Sequence, residues 1–345
     1  MKSKSIILEK PKFTEERIEK YQRSGYKIVG ENQHSGIEIC RWTKSSLKGG
    51  HNCYKRWYGI DSSRCMQVTP TLDHCSFSCS FCWRSFGEER FKGSSKWDTP
   101  KDLVDQFIES QRKLLSGFGG DSKVTKEAMK KANNPVHVAI SLDGEPTLYP
   151  YLSELIKEIR SRGMTAFLVT NGTNPVRLRE LLDKKALPNN LTISVYGTNP
   201  EDYVKTTNSF MNAPMKRVIE SLKLMKEFDK RKTRTIFKMT LVKGLNMKDP
   251  EGYAKLIKMA NPRFVHVKGY SWLGASKQRL KLNAMPTNEE LKEFADILAE
   301  KTGFIINEID KISRVILLIR DKGTIVWNVK RIREQNQIIR EKIKV

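Results

Sequence analysis

No cysteine occurs before residue 40 or after residue 82, and no apolar run approaches the roughly 18 residues that a membrane-spanning helix needs. The opening MKSKSIILEKPKF holds an apolar run of only three residues, too short for the core of an export signal. A soluble, cytoplasmic protein without a membrane partner is therefore expected. Internal repeats and low-complexity tracts are also missing, and a 38% apolar fraction distributed in short Val/Ile/Leu runs excludes a disordered chain. Acid is scarce against base, with 39 Asp and Glu facing 63 Lys and Arg for a formal charge of +24. Such an excess suits a polyanionic partner, because Lys and Arg that displace counterions from phosphates bind without regard to sequence. A generally lysine-rich surface would give the same count.

What is present is a compact set of six cysteines. Cys75, Cys79 and Cys82 form a Cys-x3-Cys-x2-Cys run, and Cys40, Cys53 and Cys65 precede it at spacings of 13 and 12 residues. Disulfide frameworks belong to small secreted chains that cannot build a core, which a chain of 345 residues can. Metal binding is the better reading. Three close thiolates can hold a [4Fe-4S] cluster and leave one iron open to a further ligand. Zinc is the alternative, although its structural sites usually take four ligands built from two close pairs.

After the cysteines the chain alternates strand-like and helix-like segments. Strands are expected at 67–72, 136–142, 165–170, 191–196, 235–242 and 264–267, with helices at 101–115, 151–161, 176–183, 214–228 and 250–259. Six strands alternating with helices imply an α/β fold with a parallel sheet and functional loops at the carboxyl ends of its strands. Residues 117–134 read as an inserted loop and helix. Residues 1–65 have few periodic runs and are expected to wrap onto the core. Towards the other end come a helix at 288–301, strands at 304–307 and 314–319, and a basic helical segment at 327–344 that is either an RNA-gripping helix or a solvated face. Basic stretches carrying aromatics, at 55–58, 230–238 with Phe237, and 268–281 with Tyr270 and Trp272, suit stacking on unpaired bases.

Three further motifs fall where the strands end. Gly144-Glu145-Pro146 follows the second strand, where glycine would let a ligand approach the backbone and the carboxylate could accept from an ammonium group. Thr170-Asn171-Gly172 ends the third, and Ser194 and Tyr196 end the fourth. Any one of these could be a simple turn former. Together, CxxxCxxC after a first strand, GEP after a second and a six-strand repeat resemble the radical S-adenosylmethionine (SAM) superfamily over roughly 66–276. The runs SLDGEPTLYP, LVTNGT and GFGGDSKV, with the three upstream cysteines, resemble more specifically the tRNA-modifying enzymes of the wyosine pathway.

The resemblance implies a partial (β/α)6 TIM-like radical SAM barrel at 66–285, an N-terminal extension at 1–65 carrying second-cluster ligands, and a C-terminal α/β extension at 286–345 with a basic helix. It implies two [4Fe-4S] clusters and SAM as cofactors. Cys75, Cys79 and Cys82 would hold the cluster that binds SAM, with Phe81 beside the adenine, Gly144 and Glu145 at the SAM amino group, and Asn171 and Ser194 at its ribose or carboxylate. Cys40, Cys53 and Cys65 would hold the second, facing pyruvate. Lys55 matches the family lysine that forms a Schiff base with pyruvate, although its place in a basic run also suits phosphate contact. The implied activity converts N1-methylguanosine at position 37, in the anticodon loop of tRNA(Phe), to 4-demethylwyosine. Eukaryotic relatives carry a flavodoxin-like domain ahead of this unit, for which the chain has neither the length nor a phosphate-binding loop. A monomer served by an external electron donor such as flavodoxin or ferredoxin is expected. Rival readings are a different two-cluster radical SAM enzyme acting on RNA, and a metal-stabilised RNA-binding protein without catalysis.

Overall fold

A computed structural model describes residues 13–86 and 96–343. Residues 1–12, read above for an export signal, and the last two residues of the chain, which include the end of the basic segment, lie outside the described residues. The strands are β1 (Tyr26–Val29), β2 (Ser35–Glu38), β3 (Cys65–Thr69), β4 (His137–Ile140), β5 (Thr165–Thr170), β6 (Asn190–Val195), β7 (Arg234–Leu241), β8 (Phe264–Gly269), β9 (Ile305–Asp310) and β10 (Val315–Ile319). They form a single ten-stranded sheet in the order β1-β2-β3-β4-β5-β6-β7-β8-β10-β9.

The six central strands, β3 to β8, pair in parallel and in chain order. Strands β4 and β6 are buried at every position, as strands covered on both faces must be. The polar residues they carry, His137 in β4 and Asn190, Thr192 and Ser194 in β6, are buried with the apolar ones. The helices are α1 (Glu15–Arg23), α2 (Arg41–Leu47), α3 (Pro100–Leu115), α4 (Lys126–Ala132), α5 (Leu152–Ser161), α6 (Pro175–Asp183), α7 (Pro200–Thr207), α8 (Pro214–Lys230), α9 (Pro250–Ala260), α10 (Asn288–Thr302) and α11 (Lys322–Lys342). Proline opens α3, α6, α7, α8 and α9, where its missing N–H would have had no helical partner. Thr99, Asn174, Asn199 and Asp249 cap four of these starts through their side chains. Buried Leu103, Val104, Phe107 and Leu115 set the inward stripe of α3.

Both edges of the parallel core are extended by antiparallel strands. On one side β2 pairs with β3 and β1 with β2; on the other β10 pairs with β8 and β9 with β10. Residues 26–38 had shown no strand signal because each of the two strands is only four residues long. Helix α11 lies across the amino ends of the central strands. Arg234, the first residue of β7, donates to Asn328 Oδ1 at 2.7 Å and to Gln335 Oε1 at 3.2 Å, and Asn328 donates to the Trp57 carbonyl at 2.8 Å. The basic segment is thus a floor under the sheet, at the end opposite the strand carboxyl termini, and its outward side carries the exposed Lys330, Arg333 and Arg340.

The aromatics inside basic stretches do not form a stacking surface. Tyr58, Phe237 and Tyr270 are buried in the core, and Trp57 packs against the cluster containing Tyr58 and Phe264. Trp272 donates its indole N–H to the Leu280 carbonyl.

Candidate active site

At the carboxyl ends of the central strands the sheet opens into a cavity of about 370 Å³. Its wall includes all six cysteines, Lys55, Phe81, Gly144, Glu145, Asn171 and Ser194. Every residue singled out from the sequence as a site residue therefore meets in one place.

The loop after β3 carries Cys75, Cys79 and Cys82 and is held from two sides. Ser78 N and Ser80 N donate to the carbonyls of Thr207 and Thr206, while Ser76 Oγ lies 2.9 Å from Thr173 Oγ1. Arg279 donates to the carbonyls of Ser80 and Cys82. Cys75 and Cys79 are buried and Cys82 is half-buried. Phe81 packs on Tyr196 with ring centroids 5.0 Å apart. Burial pushes the Tyr196 phenol well above its ordinary range, neighbouring Cys79 adds to the rise, and a hydrogen bond with Ser194 opposes it.

The GEP motif serves this loop as well as the cavity. Gly144 has φ +67°, and a Cβ there would stand 1.9 Å from the Thr71 carbonyl oxygen and 2.6 Å from that of His74. Its glycine is required by the close approach of the cysteine loop, beyond any approach of a ligand. Glu145 Oε1 accepts from Thr147 N, Thr147 Oγ1 and Thr170 Oγ1, and Oε2 accepts from Asn171 N at 2.7 Å. Burial raises this carboxyl above its ordinary value against those four donors. Oε2, with one donor, retains acceptor capacity. Asn171 is more fully committed: Nδ2 donates to Ser76 Oγ at 2.8 Å and lies 3.8 Å from Cys75 Sγ, while Oδ1 accepts from Thr173 N and Oγ1. It ties the cysteine loop to the end of β5 while lining the cavity.

The upstream cysteines come from three local elements. Cys40 precedes α2, Cys53 precedes a short 3-10 turn at Tyr54–Tyr58, and Cys65 opens β3. Cys53 N donates to Ser62 Oγ at 2.9 Å, and Lys55 N to Cys53 Sγ at 3.5 Å. Burial pushes the Cys53 thiol up to about 11 and the Cys65 thiol up to about 12, with Lys55 pulling down and Cys40 pushing up in both. Buried thiols that hinder one another's ionisation need a cation to become thiolates together, which is the environment of metal ligands. None of the six forms a disulfide. Among the described residues no three His, Cys, Asp or Glu converge tightly enough for a single ion. A four-iron cluster is wider than an ion, and thiols spread along a cavity wall suit a group of that width.

Lys55 Nζ reaches Ser141 Oγ at 3.5 Å and lies 4.6 Å above the Phe167 ring. Two lysines that the sequence reading left within basic stretches join it on the cavity wall: Lys238 of β7 and Lys268 of β8. Burial, then the neighbouring Lys268 and Lys55, push Lys238 down to about 7. Lys268 falls to about 8, chiefly by burial. Each is a lysine within a buried strand, RTIFKMTL and FVHVKG, and a charge in the middle or near the end of such a run was the available signal.

With this geometry in hand, comparison with known proteins is specific. The chain matches the radical SAM superfamily over residues 69–257 and the wyosine base formation family over residues 259–320. It is 43% identical over 328 residues to the S-adenosyl-L-methionine-dependent tRNA 4-demethylwyosine synthase of Pyrococcus horikoshii, covering 92% of each chain. A solved structure of TYW1 with a lysine-pyruvate adduct bound superposes with a TM-score of 0.79 at 30% identity, covering 90% of this chain and 97% of that one. The crystal structure of an archaeal TYW1 gives 0.71 at 28% identity, over 89% and 96%.

Proposed function

Because the chain belongs to the radical SAM superfamily and, within it, to the SAM-dependent tRNA 4-demethylwyosine synthases, we propose that it condenses pyruvate with N1-methylguanosine at position 37 of tRNA(Phe) to give 4-demethylwyosine. The observation that carries this reading is the single cavity shared by both cysteine triads and Lys55. Cys75, Cys79 and Cys82 would hold the SAM-binding [4Fe-4S] cluster, and Cys40, Cys53 and Cys65 a second one. When bound, cluster and SAM supply reductive cleavage of SAM and the 5′-deoxyadenosyl radical that takes hydrogen from the N1-methyl group.

The chain's own residues do the rest. Phe81 and Tyr196 supply an aromatic wall beside the cysteine loop, suited to an adenine. Glu145 Oε2 accepts from the SAM amino group, and Ser194 reaches its carboxylate or ribose. Lys55 adds its amine to C2 of pyruvate and, with loss of one water, holds the pyruvate as an imine, an assignment supported by the adduct in the related TYW1 structure. The methylene radical bonds to C2 of the imine, and C1 departs as a one-carbon radical that becomes formate by gaining an electron and a proton or carbon dioxide by giving one electron up. Attack of the guanine 2-amino group on the restored imine carbon then closes the ring and displaces the free Lys55 amine. Enclosure in a cavity orients the reactants and limits water.

The +24 charge suits a tRNA partner, and position 37 in a loop can be presented unstacked. No helix among the described residues is long and apolar enough to cross a membrane, and a tRNA substrate suits a cytoplasmic monomer that takes electrons from flavodoxin or ferredoxin. The test is anaerobic incubation of cluster-reconstituted protein with tRNA bearing N1-methylguanosine at position 37, SAM, reductant and pyruvate labelled at C2 or C3, the carbons kept in the product. The expected product is a labelled tricyclic base. Cleavage of SAM with no tricycle and no label in tRNA would point to a different radical SAM chemistry.

A further inference from the structure

Lys55 enters the cavity from the 3-10 turn after Cys53, while Lys238 and Lys268 enter from the adjacent strands β7 and β8. Neighbouring strands in parallel register set Lys238 opposite His266, two residues before Lys268. The three amines feel one another: each of Lys55 and Lys268 acts on Lys238, and all three act on His266. Their partners differ. Lys268 Nζ donates to the Ser313 carbonyl at 2.9 Å, and Lys55 Nζ meets Ser141 Oγ. Among the described residues the Lys238 amine has no hydrogen bond and no ion pair, although Lys238 lines the cavity. The cavity's own carboxylates are occupied elsewhere, Glu145 by four donors and Asp143 by the Gly144 N–H.

Like charges gathered in a low-dielectric wall are unfavourable unless an anion faces them. Cys53 and Asp310 act on Lys268, whereas Lys238 feels only the other two amines. His266 offers no anion, since its Nε2 is paired with the Tyr58 hydroxyl at 2.6 Å. We propose that Lys238, supported by Lys268, receives the carboxylate of the 2-oxo acid whose carbonyl carbon is presented to Lys55. This rests on the pyruvate reading above and adds the residues that select an acid over an uncharged ketone. The carboxylate of SAM has the same chemistry. Its expected place is beside the Cys75, Cys79 and Cys82 loop, whereas Lys238 interacts with Lys55 and Lys268, and Lys268 in turn with Cys53.

The experiment uses the cluster-reconstituted enzyme and traps the lysine adduct with borohydride at rising concentrations of labelled pyruvate or of methyl pyruvate, which lacks the charge. SAM affinity is measured alongside. Lys238→Met is expected to raise half-saturation for pyruvate about tenfold or more, the loss of one charge-assisted contact, and to leave methyl pyruvate within about twofold. SAM affinity is expected to stay unchanged. Lys238→Gln, which keeps a polar end, should show the same loss of preference and covers the case in which Met perturbs folding. Equal weakening for both ketones would mark a structural role, weakened SAM binding would move the site to the other carboxylate, and unchanged half-saturation would remove the site. Each overturns the assignment while leaving pyruvate condensation standing. A wild-type enzyme that traps neither ketone and incorporates no label overturns both.

Discussion

A thiol buried beside other thiols stays protonated until a cation takes it, and the two triads differ in what surrounds them. Cys79 sits in a loop pinned by Thr206, Thr207 and Arg279, whereas Cys53 sits beside Lys55 and Lys268. If the triads have separate roles, their loss should separate too. In Cys79→Ala, 5′-deoxyadenosine formation is expected to fall to background, while Cys53→Ala should keep about a tenth or more of it and incorporate no pyruvate label. Equal loss of both activities in a folded Cys53→Ala protein would defeat the division. Asp310 gives a second residue-scale test. Its side chain is buried at the end of β9, where Arg56 at 2.7 Å and His51 at 3.0 Å tie it to the segment bearing Cys53 and Lys55. Burial alone would raise this carboxyl, but Arg56, the Ser313 N–H and His51 together hold it below its ordinary value. A depressed carboxyl contributes stability above the unfolded value and loses it as pH falls through the folded one. Asp310→Asn should therefore cost about 1–3 kcal/mol at pH 7. Denaturant titrations should show that gap closing as pH drops below about 4, the unfolded carboxylate value.

At the scale of elements, the helix over Lys322–Lys342 decides between two uses of the same basic sequence. Its buried Thr324, Gln335 and Ile339 face the sheet, and Arg234, pushed down to about 9 by burial and by Arg331, depends on Asn328 and Gln335 for its hydrogen bonds. Gly59 lies so close to the helix that a Cβ would come within 2.8 Å of Ile332. The helix covers the amino ends of the strands and stands away from the cavity, whose wall includes none of its residues. Truncation after Asp321 should thus lower the yield of soluble protein and the melting temperature, because it strips Arg234 of buried partners at about 1–3 kcal/mol each. Replacing the exposed Lys330, Arg333 and Arg340 together by Gln should leave KM for tRNA within about twofold, since surface charges remote from a contact contribute little. A tenfold rise in KM would restore the helix as an RNA-gripping element.

For the whole molecule, legibility followed burial. Strands β3 to β8 could be read because each buried strand keeps a core of β-branched and aliphatic residues between turn formers, and the loops at their carboxyl ends carried Cys75, Cys79 and Cys82 and the GEP and TNG motifs that meet in the cavity. The hairpin Tyr26–Val29 and Ser35–Glu38 could not, because its strands are short and partly polar. Lys238 and Lys268 were visible as letters but not as cavity residues, since facing inward depends on the register of β7 against β8. Charge is legible only as a sum, and a sum has a measurable consequence. With 63 basic residues against 39 acidic ones, and with ion pairs such as Arg179–Glu227 and Lys292–Asp296 using part of each set, an excess of cations remains for phosphate. Cations that neutralise phosphates release counterions, so affinity falls as a power of salt set by the number of contacts. Raising salt from about 50 to 200 mM should raise KM for tRNA about tenfold or more, the effect of a few phosphate contacts. SAM cleavage without tRNA depends on the enclosed cavity and should change by less than about twofold, because buried interactions are screened little. Parallel loss of both activities with salt would mean that ions disturb the protein itself, and a tRNA KM insensitive to salt would leave the +24 charge without a role in binding.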